Sequence, residues 1–159
     1  MNKLDYKPFP KFTKEFVEQN IKVDWGDLAW ALSNHWLDVS SIAELAEVLA
    51  LKNEYLCTSL AIARINKDEL ALETLVFQQA QKYTVPDELV RERWMLLAVK
   101  WLYQHRNTFD NPWLVIEELW AAFGYPSSLN CLIRWMPIPS DRKVGEETML
   151  EKWHTLATS

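Results

Sequence analysis

The sequence predicts an all-α fold, a single compact bundle of about seven or eight helices with short loops and a tryptophan-rich core. Apolar residues recur with the 3.6-residue period of helices that face a core, and no stretch alternates convincingly as a half-buried strand does. The 159 residues include nine tryptophans but only three glycines, fewer than a sheet with many tight hairpins needs. At this length we expect one domain, residues 1–159.

The first helices are predicted from their capping residues. After an N-terminal arm, residues 1–12, Thr13 caps a short helix that runs to about Asn20. Asp24 caps a second helix in "DWGDLAWALSNHWLD". Its core-facing side carries Trp25, Leu28, Ala29, Leu32 and Trp36.

The next three helices follow in the same way. Ser41 and Glu44 have the spacing of a capping box, so "SIAELAEVLAL" is expected to open a third helix. The fourth, "YLCTSLAIARI", should end near Asn66. Asn66 with Glu69 is expected to cap a fifth helix that ends near Tyr83, and its apolar pattern comprises Leu70, Leu72, Leu75, Val76, Phe77 and Ala80.

The second half continues the helical pattern. Pro86 is expected at the first position of a helix that is apolar nearly all round and therefore central, and Pro112 starts another that Gly124 ends. Ser127 or Ser128 should cap a short helix through "LNCLIRW". A loop, residues 137–145, then precedes a last helix, "EETMLEKWHTLA".

Composition limits the cellular setting and the chemistry. The chain has no run of eighteen apolar residues and no signal-peptide pattern at its N-terminus, so we expect a soluble cytoplasmic protein that does not bind membranes. Cys57 and Cys131 are expected to be buried free thiols, since a domain of this size needs no disulfide. The sequence contains no cluster of cysteines and histidines that would suggest a metal site, and no cofactor is expected.

Negative charge is concentrated in the middle of the chain. Residues 23–90 hold eleven acidic residues against four basic ones, whereas residues 91–159 hold eight of each. An acidic surface repels phosphate backbones and attracts basic partners. We therefore expect no direct nucleic-acid binding and a cationic protein as the partner.

Catalysis receives little support from the sequence. Common catalytic and nucleotide-binding motifs are absent, and His35, His105 and His154 have no nucleophile at a recognisable local spacing. Glu117 and Glu118 are neighbours, which point about 100° apart on a helix. We predict that the protein is not an enzyme, while a site assembled from His35 or His105 with one of these glutamates stays an alternative.

Most tryptophans have a structural interpretation. Trp94 and Trp101 are seven residues apart, as are Trp113 and Trp120, which is the spacing of core residues on one helix face. Trp30 and Leu37 instead form a second apolar ridge on the Asp24 helix, which must meet another helix or a partner. If the neighbouring helices pack together, their polar faces form one negative field beside this ridge. The candidate residues for binding a partner are Asp24, Asp27, Trp30, Asp38, Glu47, Glu54, Asp68 and Glu73.

The C-terminal half resembles a family of small bacterial proteins of uncharacterised function. The shared features are a Trp-Leu-Tyr helix, an Asp-x-Pro helix start with paired acids, a Phe-x-Tyr-Pro turn, an Arg-aromatic-Met-Pro stop and a late tryptophan. They correspond here to Trp101, Leu102, Tyr103, Asp110, Pro112, Glu117, Glu118, Phe123, Tyr125, Pro126, Arg134, Trp135, Met136, Pro137 and Trp153. Trp120 and Trp135 depart from the pattern, in which tyrosine is expected, and the family supplies no catalytic residues to carry over.

Small acidic proteins of this kind look like immunity proteins of contact-dependent inhibition and other polymorphic toxin systems. The resemblance implies a protein that binds the toxic C-terminal domain of its cognate toxin. The acidic middle of the chain suits a cationic nuclease as that domain, with an RNase favoured, and we expect the protein to be a monomer when free. A helical adaptor or homodimer that uses the Trp30 and Leu37 ridge is the other alternative.

Overall fold

A computed structural model describes residues 11–51, 53–82, 86–133 and 146–158, apart from the side chains of residues 146–148. Over these ranges the fold is all-α, with eight α-helices, two short 3-10 segments and no strand, which confirms the predicted fold class. The arm up to residue 10, the loop 137–145 and the family positions 134–137 lie outside the described residues. No helix within the described ranges is both long and apolar enough to cross a membrane.

The described residues form two compact units, residues 11–93 and residues 94–158. The expectation of a single domain stays a prediction. The first unit contains α1 (Lys14–Asn20), α2 (Trp25–Asn34), α3 (Val39–Leu49), α4 (Glu54–Ile65), α5 (Glu69–Lys82) and the start of α6 (Asp87–Gln104). In it, α2 packs against α3 and α5, and α4 packs against the same two helices.

Helix α2 is buried along nearly its whole length. The predicted core face is confirmed, since Trp25, Leu28, Ala29, Leu32 and Trp36 are all buried. Asp24 caps the helix as predicted, and His35 ends it in a left-handed conformation with φ 58°. The residues after His35 lie beside Phe12, whose N–H donates a hydrogen bond to Trp36 O at 2.9 Å.

Three predicted helix starts are wrong by one to three residues. Helix α3 starts at Val39 rather than after Ser41, because the extended segment beside Phe12 ends at Asp38 and the Asp38 carbonyl accepts the Ile42 N–H. Asp68 caps α5, while Asn66 ends α4. Helix α6 starts at Asp87, and Pro86 precedes it.

The second unit contains the rest of α6, a 3-10 segment (Arg106–Thr108), α7 (Pro112–Ala122), a 3-10 segment (Ser127–Leu132) and α8 (Glu146–Thr158). The start of α7 at Pro112 and the last helix are confirmed, and Gly124 follows the end of α7 with φ 78°. Trp153 lies in the core of this unit, where its Nε1–H donates to Val99 O at 3.0 Å. Trp94, Trp113 and Trp120 are buried as predicted.

Three further predictions need correction. Residues 127–132 form a 3-10 segment rather than an α-helix, and Ile133 is already extended. Trp101 is only half-buried, with His105 stacked on its ring. The two cysteines are free thiols, but Cys131 is exposed and Cys57 half-buried, because neither lies on the core-facing side of its segment.

Candidate functional site

Asp24 and Asp27 cap the N-terminus of α2 reciprocally. Asp24 Oδ1 accepts a hydrogen bond from the Asp27 N–H at 2.9 Å, and Asp27 Oδ2 accepts one from the Asp24 N–H at 3.0 Å. Arg93 of α6 donates to both carboxylates, through Nη1 to Asp27 at 2.9 Å and through Nη2 to Asp24 at 3.1 Å. A Cβ atom on Gly26 would lie 3.2 Å from Asp24 Oδ1 and 3.4 Å from a Val90 methyl group, so the close packing here favours glycine.

The prediction that Asp27 lies on a partner-binding surface is wrong, because its side chain is 0% exposed. Its Oδ1 atom has no hydrogen-bond partner among the described residues. Burial, reinforced by the charge of Asp24, raises the pKa of Asp27 to about 7, although the Asp24 N–H and Arg93 act in the opposite direction. Asp27 is therefore part of an internal connection between α2 and α6, and Asp24 is its half-buried edge.

The predicted exposure of Trp30 and Leu37 is also wrong, since they are 1% and 2% exposed. The Trp30 ring packs edge-on against Trp36, with ring centroids 4.7 Å apart. The second apolar ridge of α2 thus meets the interior of the first unit. The adaptor or homodimer hypothesis loses the surface on which it was based.

Asp38 and Glu47 reach the surface but are paired within the chain. Asp38 lies 3.3 Å from Lys11 Nζ. Both oxygens of Glu47 lie 3.0 Å from Arg64 Nη1, and Arg64 Nη2 lies 3.6 Å from Glu44. These contacts neutralise much of the charge that the sequence alone places on α3.

The remaining predicted residues, Glu54, Asp68 and Glu73, make no ion pair with any described residue. Glu54 and Asp68 are exposed and Glu73 is half-buried. Glu54 begins α4 and Asp68 follows its end, so twelve helical residues place them about 18 Å apart along the helix axis at 1.5 Å per residue. The seven acidic candidates therefore do not form one negative field. Asp68 and Glu73 share the end at which α5 begins, together with Glu69.

Exposed apolar side chains distinguish the same part of the chain. Of the ten large apolar residues that are exposed among the described residues, seven lie between residues 48 and 77: Val48, Leu51, Tyr55, Ile62, Ile65, Leu70 and Phe77. Tyr55 and Ile62 are seven residues apart on α4, as are Leu70 and Phe77 on α5, so each pair lies on one face of its helix. We call residues 48–77 with these seven side chains the exposed apolar segment.

A pocket opens between α3, α4 and α5 beside this segment. Its volume is about 250 Å³, and we call it the α3–α5 pocket. Apolar side chains and Ser40 form the walls, while two cations and two carboxylates lie at the helix ends around it. The lining residues are Val39, Ser40, Ala43, Ala63, Arg64, Lys67, Asp68, Glu69 and Leu72.

The three histidines lie elsewhere. His35 ends α2 at the surface, and His154 is exposed next to Tyr103. His105 stacks on Trp101, and its Nδ1 lies 2.8 Å from Trp101 O. None of them lines the α3–α5 pocket, and the described ranges hold no group of three or more side chains placed to bind a metal ion.

Sequence reasoning missed the exposed apolar segment and the pocket. It counted Leu70 and Phe77 in one apolar pattern with Leu72 and Val76, but only the last two are buried in α5. The available signal was that α5 carries apolar residues on two sides. Leu72 and Phe77 are five residues apart and so point about 140° from each other.

The comparisons identify a family without a known activity. A search of curated proteins and a search of solved structures give no match. The model of a family described as "Uncharacterized protein conserved in bacteria (DUF2247)" matches residues 13–156, which confirms the resemblance seen in the sequence. The chain belongs to this bacterial family.

Proposed function

We propose that the chain is an immunity protein, which binds the toxic C-terminal domain of a polymorphic toxin and neutralises it without catalysis. The toxin domain is a nuclease, with an RNase favoured, and the complex forms in the cytoplasm. The observation that carries the proposal is the exposed apolar segment together with carboxylates that make no ion pair with a described residue, since both features favour a protein partner.

The apolar residues provide the affinity in this proposal. Tyr55 is 81% exposed, Leu70 73% and Ile62 54%. Side chains of this size bury enough apolar area to act as the centre of an interface, where few residues dominate binding. They take the role that the sequence alone assigns to Trp30.

The carboxylates provide selectivity for a cationic partner. No ion pair with a described residue offsets the charges of Glu54, Asp68 and Glu73. A nuclease surface that binds phosphate is basic, so carboxylates near the apolar centre speed association and disfavour acidic partners. Asp24, Asp27, Asp38 and Glu47 are internally bonded and contribute less.

Co-expression tests the function directly. The toxin C-terminal domain that is encoded beside this gene is expressed in a susceptible host, with and without the chain. Survival with the chain and death without it are expected, and the two proteins should copurify. Death in both cultures, or the absence of a toxin gene beside this one, contradicts the proposal.

Salt dependence tests the electrostatic part. The association rate of the complex should fall steeply as ionic strength rises, because exposed charges are screened over about 8 Å at 0.15 M salt. Glu54→Gln combined with Glu73→Gln should flatten this dependence, while Asp38→Asn, which removes an already paired charge, should leave it nearly unchanged. A rate that does not change with salt in the wild type contradicts a cationic partner.

A further inference from the structure

The α3–α5 pocket has a composition that suits a specific kind of side chain. Ala43, Ala63 and Leu72 are at most 6% exposed and line its apolar part. Its volume of about 250 Å³ falls below the range of roughly 300–1,000 Å³ that is usual for small-molecule sites. The pocket therefore fits one large apolar side chain better than a nucleotide or a cofactor.

The charges around the pocket do not cancel. Arg64 is already held by Glu44 and Glu47, which lie outside the lining residues. Lys67, Asp68 and Glu69 remain, and none of these three makes an ion pair with a described residue. One cation and two carboxylates leave the rim with a net negative charge.

The position of Asp68 makes this charge available. Its Oδ1 atom caps α5 by accepting the Ala71 N–H at 3.0 Å, while no described residue hydrogen-bonds to Oδ2. Glu69 begins the same helix and is exposed. A cation at the pocket mouth can therefore approach both carboxylates without displacing the cap.

We infer that the α3–α5 pocket receives one apolar side chain of the protein partner, and that Asp68 and Glu69 bind a basic residue next to it. The site thus recognises an apolar residue flanked by a lysine or an arginine. This inference rests on the proposed function, because it specifies how the same surface selects its partner.

Three small probes of similar shape test the pocket without the partner: isoamylammonium, isoamyl alcohol and isovalerate. Each is titrated into the full chain while NMR follows the methyl groups of Val39, Ala43, Ala63 and Leu72. The ammonium should bind most tightly and the carboxylate least tightly, with a difference of about two- to fivefold per exposed ion pair. Equal binding of all three probes, tightest binding of isovalerate or unchanged methyl signals overturns the inference.

Charge variants test whether the rim residues cause the preference for the ammonium probe. Asp68→Asn with Glu69→Gln should remove the advantage of the ammonium, since asparagine still caps the helix but carries no charge. Lys67→Asn should increase that advantage, and asparagine suits the left-handed backbone at this position, where φ is 51°. Unchanged probe affinities in both variants overturn the role of the rim.

A pocket-filling variant separates this inference from the proposed function. Ala43→Met should weaken all three probes and also the complex with the toxin domain, with circular dichroism as the control for folding. Neutralisation by this variant at wild-type affinity overturns the pocket but leaves the immunity function standing. If the wild type fails to neutralise the toxin but still binds the probes, the immunity function is overturned and the pocket stands.

Discussion

Helix α2 buries polar side chains, whereas α4 and α5 expose apolar ones. In α2, Asp27 and Asn34 are both 0% exposed, and each is hydrogen-bonded inside the first unit. In α4 and α5, Ile62 and Leu70 are more than half exposed. Residue type alone would predict the reverse in both places.

The difference lies in how much of each helix its neighbours cover, since α2 exposes almost none of its residues while α4 and α5 expose many of theirs. Helix α2 packs against α3 and α5 and is tied to α6 through Arg93, so even its polar residues must find partners inside the protein. Helices α4 and α5 each have one side that no described helix covers. Apolar side chains kept on such a side mark it for interaction rather than for stability.

The largest expected effect is on the free energy of unfolding, which should respond differently to substitutions in the two regions. Trp30→Ala should lower the free energy of unfolding by about 3–5 kcal/mol, because it removes a buried indole and leaves a cavity. Tyr55→Ala, at an 81% exposed position, should change it by less than about 0.5 kcal/mol. Urea denaturation followed by circular dichroism measures both, and similar losses in the two variants would contradict the burial described here.

Two arginines that each contact two carboxylates give the next comparison. Arg93→Met keeps the aliphatic stem but leaves Asp27 buried without its cation, which should cost about 2–3 kcal/mol at pH 8. Arg64→Met breaks the contacts with Glu44 and Glu47. Because all three side chains are more than a third exposed, this change should lower the free energy of unfolding by at most about 1 kcal/mol. Urea denaturation at pH 8 measures both losses, and a larger loss for Arg64→Met would show that the buried connection is not the stronger one.

Much of the fold was predictable from local sequence signals. The cap at Asp24, the start at Pro112 and the end at Gly124 depend on residues within a few positions, which a single sequence shows. The start of α3 was not predictable from local signals, because it depends on the pairing of Phe12 with Leu37, twenty-five residues away.

The candidate site was predictable only in part. The sequence correctly placed negative charge in residues 23–90, but its assignment of Asp27 and Trp30 to the surface failed. Helical periodicity gives the angle between side chains, not which of two apolar faces meets a neighbour. Arg93 lies 66 residues after Asp27, and no local pattern connects them.

The buried connection should also affect the pH dependence of stability. Since the pKa of Asp27 is raised to about 7 in the folded state from 3.8, unfolding releases a proton between about pH 4 and pH 7. The unfolded state then binds fewer protons, so the free energy of unfolding should fall as pH rises, by at most about 1.4 kcal/mol per pH unit.

Asp27→Asn isolates this contribution, because the amide resembles the protonated acid and does not titrate. Relative to wild type, the variant should gain stability between pH 5 and pH 8, as measured by urea denaturation at each pH. Glu54→Gln, at an exposed position, is the control and should follow the wild-type profile. Parallel profiles for Asp27→Asn and wild type would mean that Asp27 is ionised throughout.

The smallest stability effect belongs to the exposed apolar segment, where the effect on binding should be large. Leu70→Gln should change the free energy of unfolding by less than about 0.5 kcal/mol, since leucine and glutamine have similar helix propensities and the site is exposed. The same change should weaken the toxin complex at least tenfold if Leu70 lies near the centre of the interface, where truncations cost about 2 kcal/mol or more.

Leu114→Gln is the matched control, at a 47% exposed position on α7 in the second unit. It alters a leucine to the same residue but lies outside residues 48–77, so calorimetric titration with the toxin domain should give wild-type affinity. If Leu114→Gln weakens binding as much as Leu70→Gln, the exposed apolar segment is not the docking surface. If Leu70→Gln instead dissolves a homodimer of the free chain, the segment serves self-association, because an apolar side that no described helix covers can be covered by a second copy.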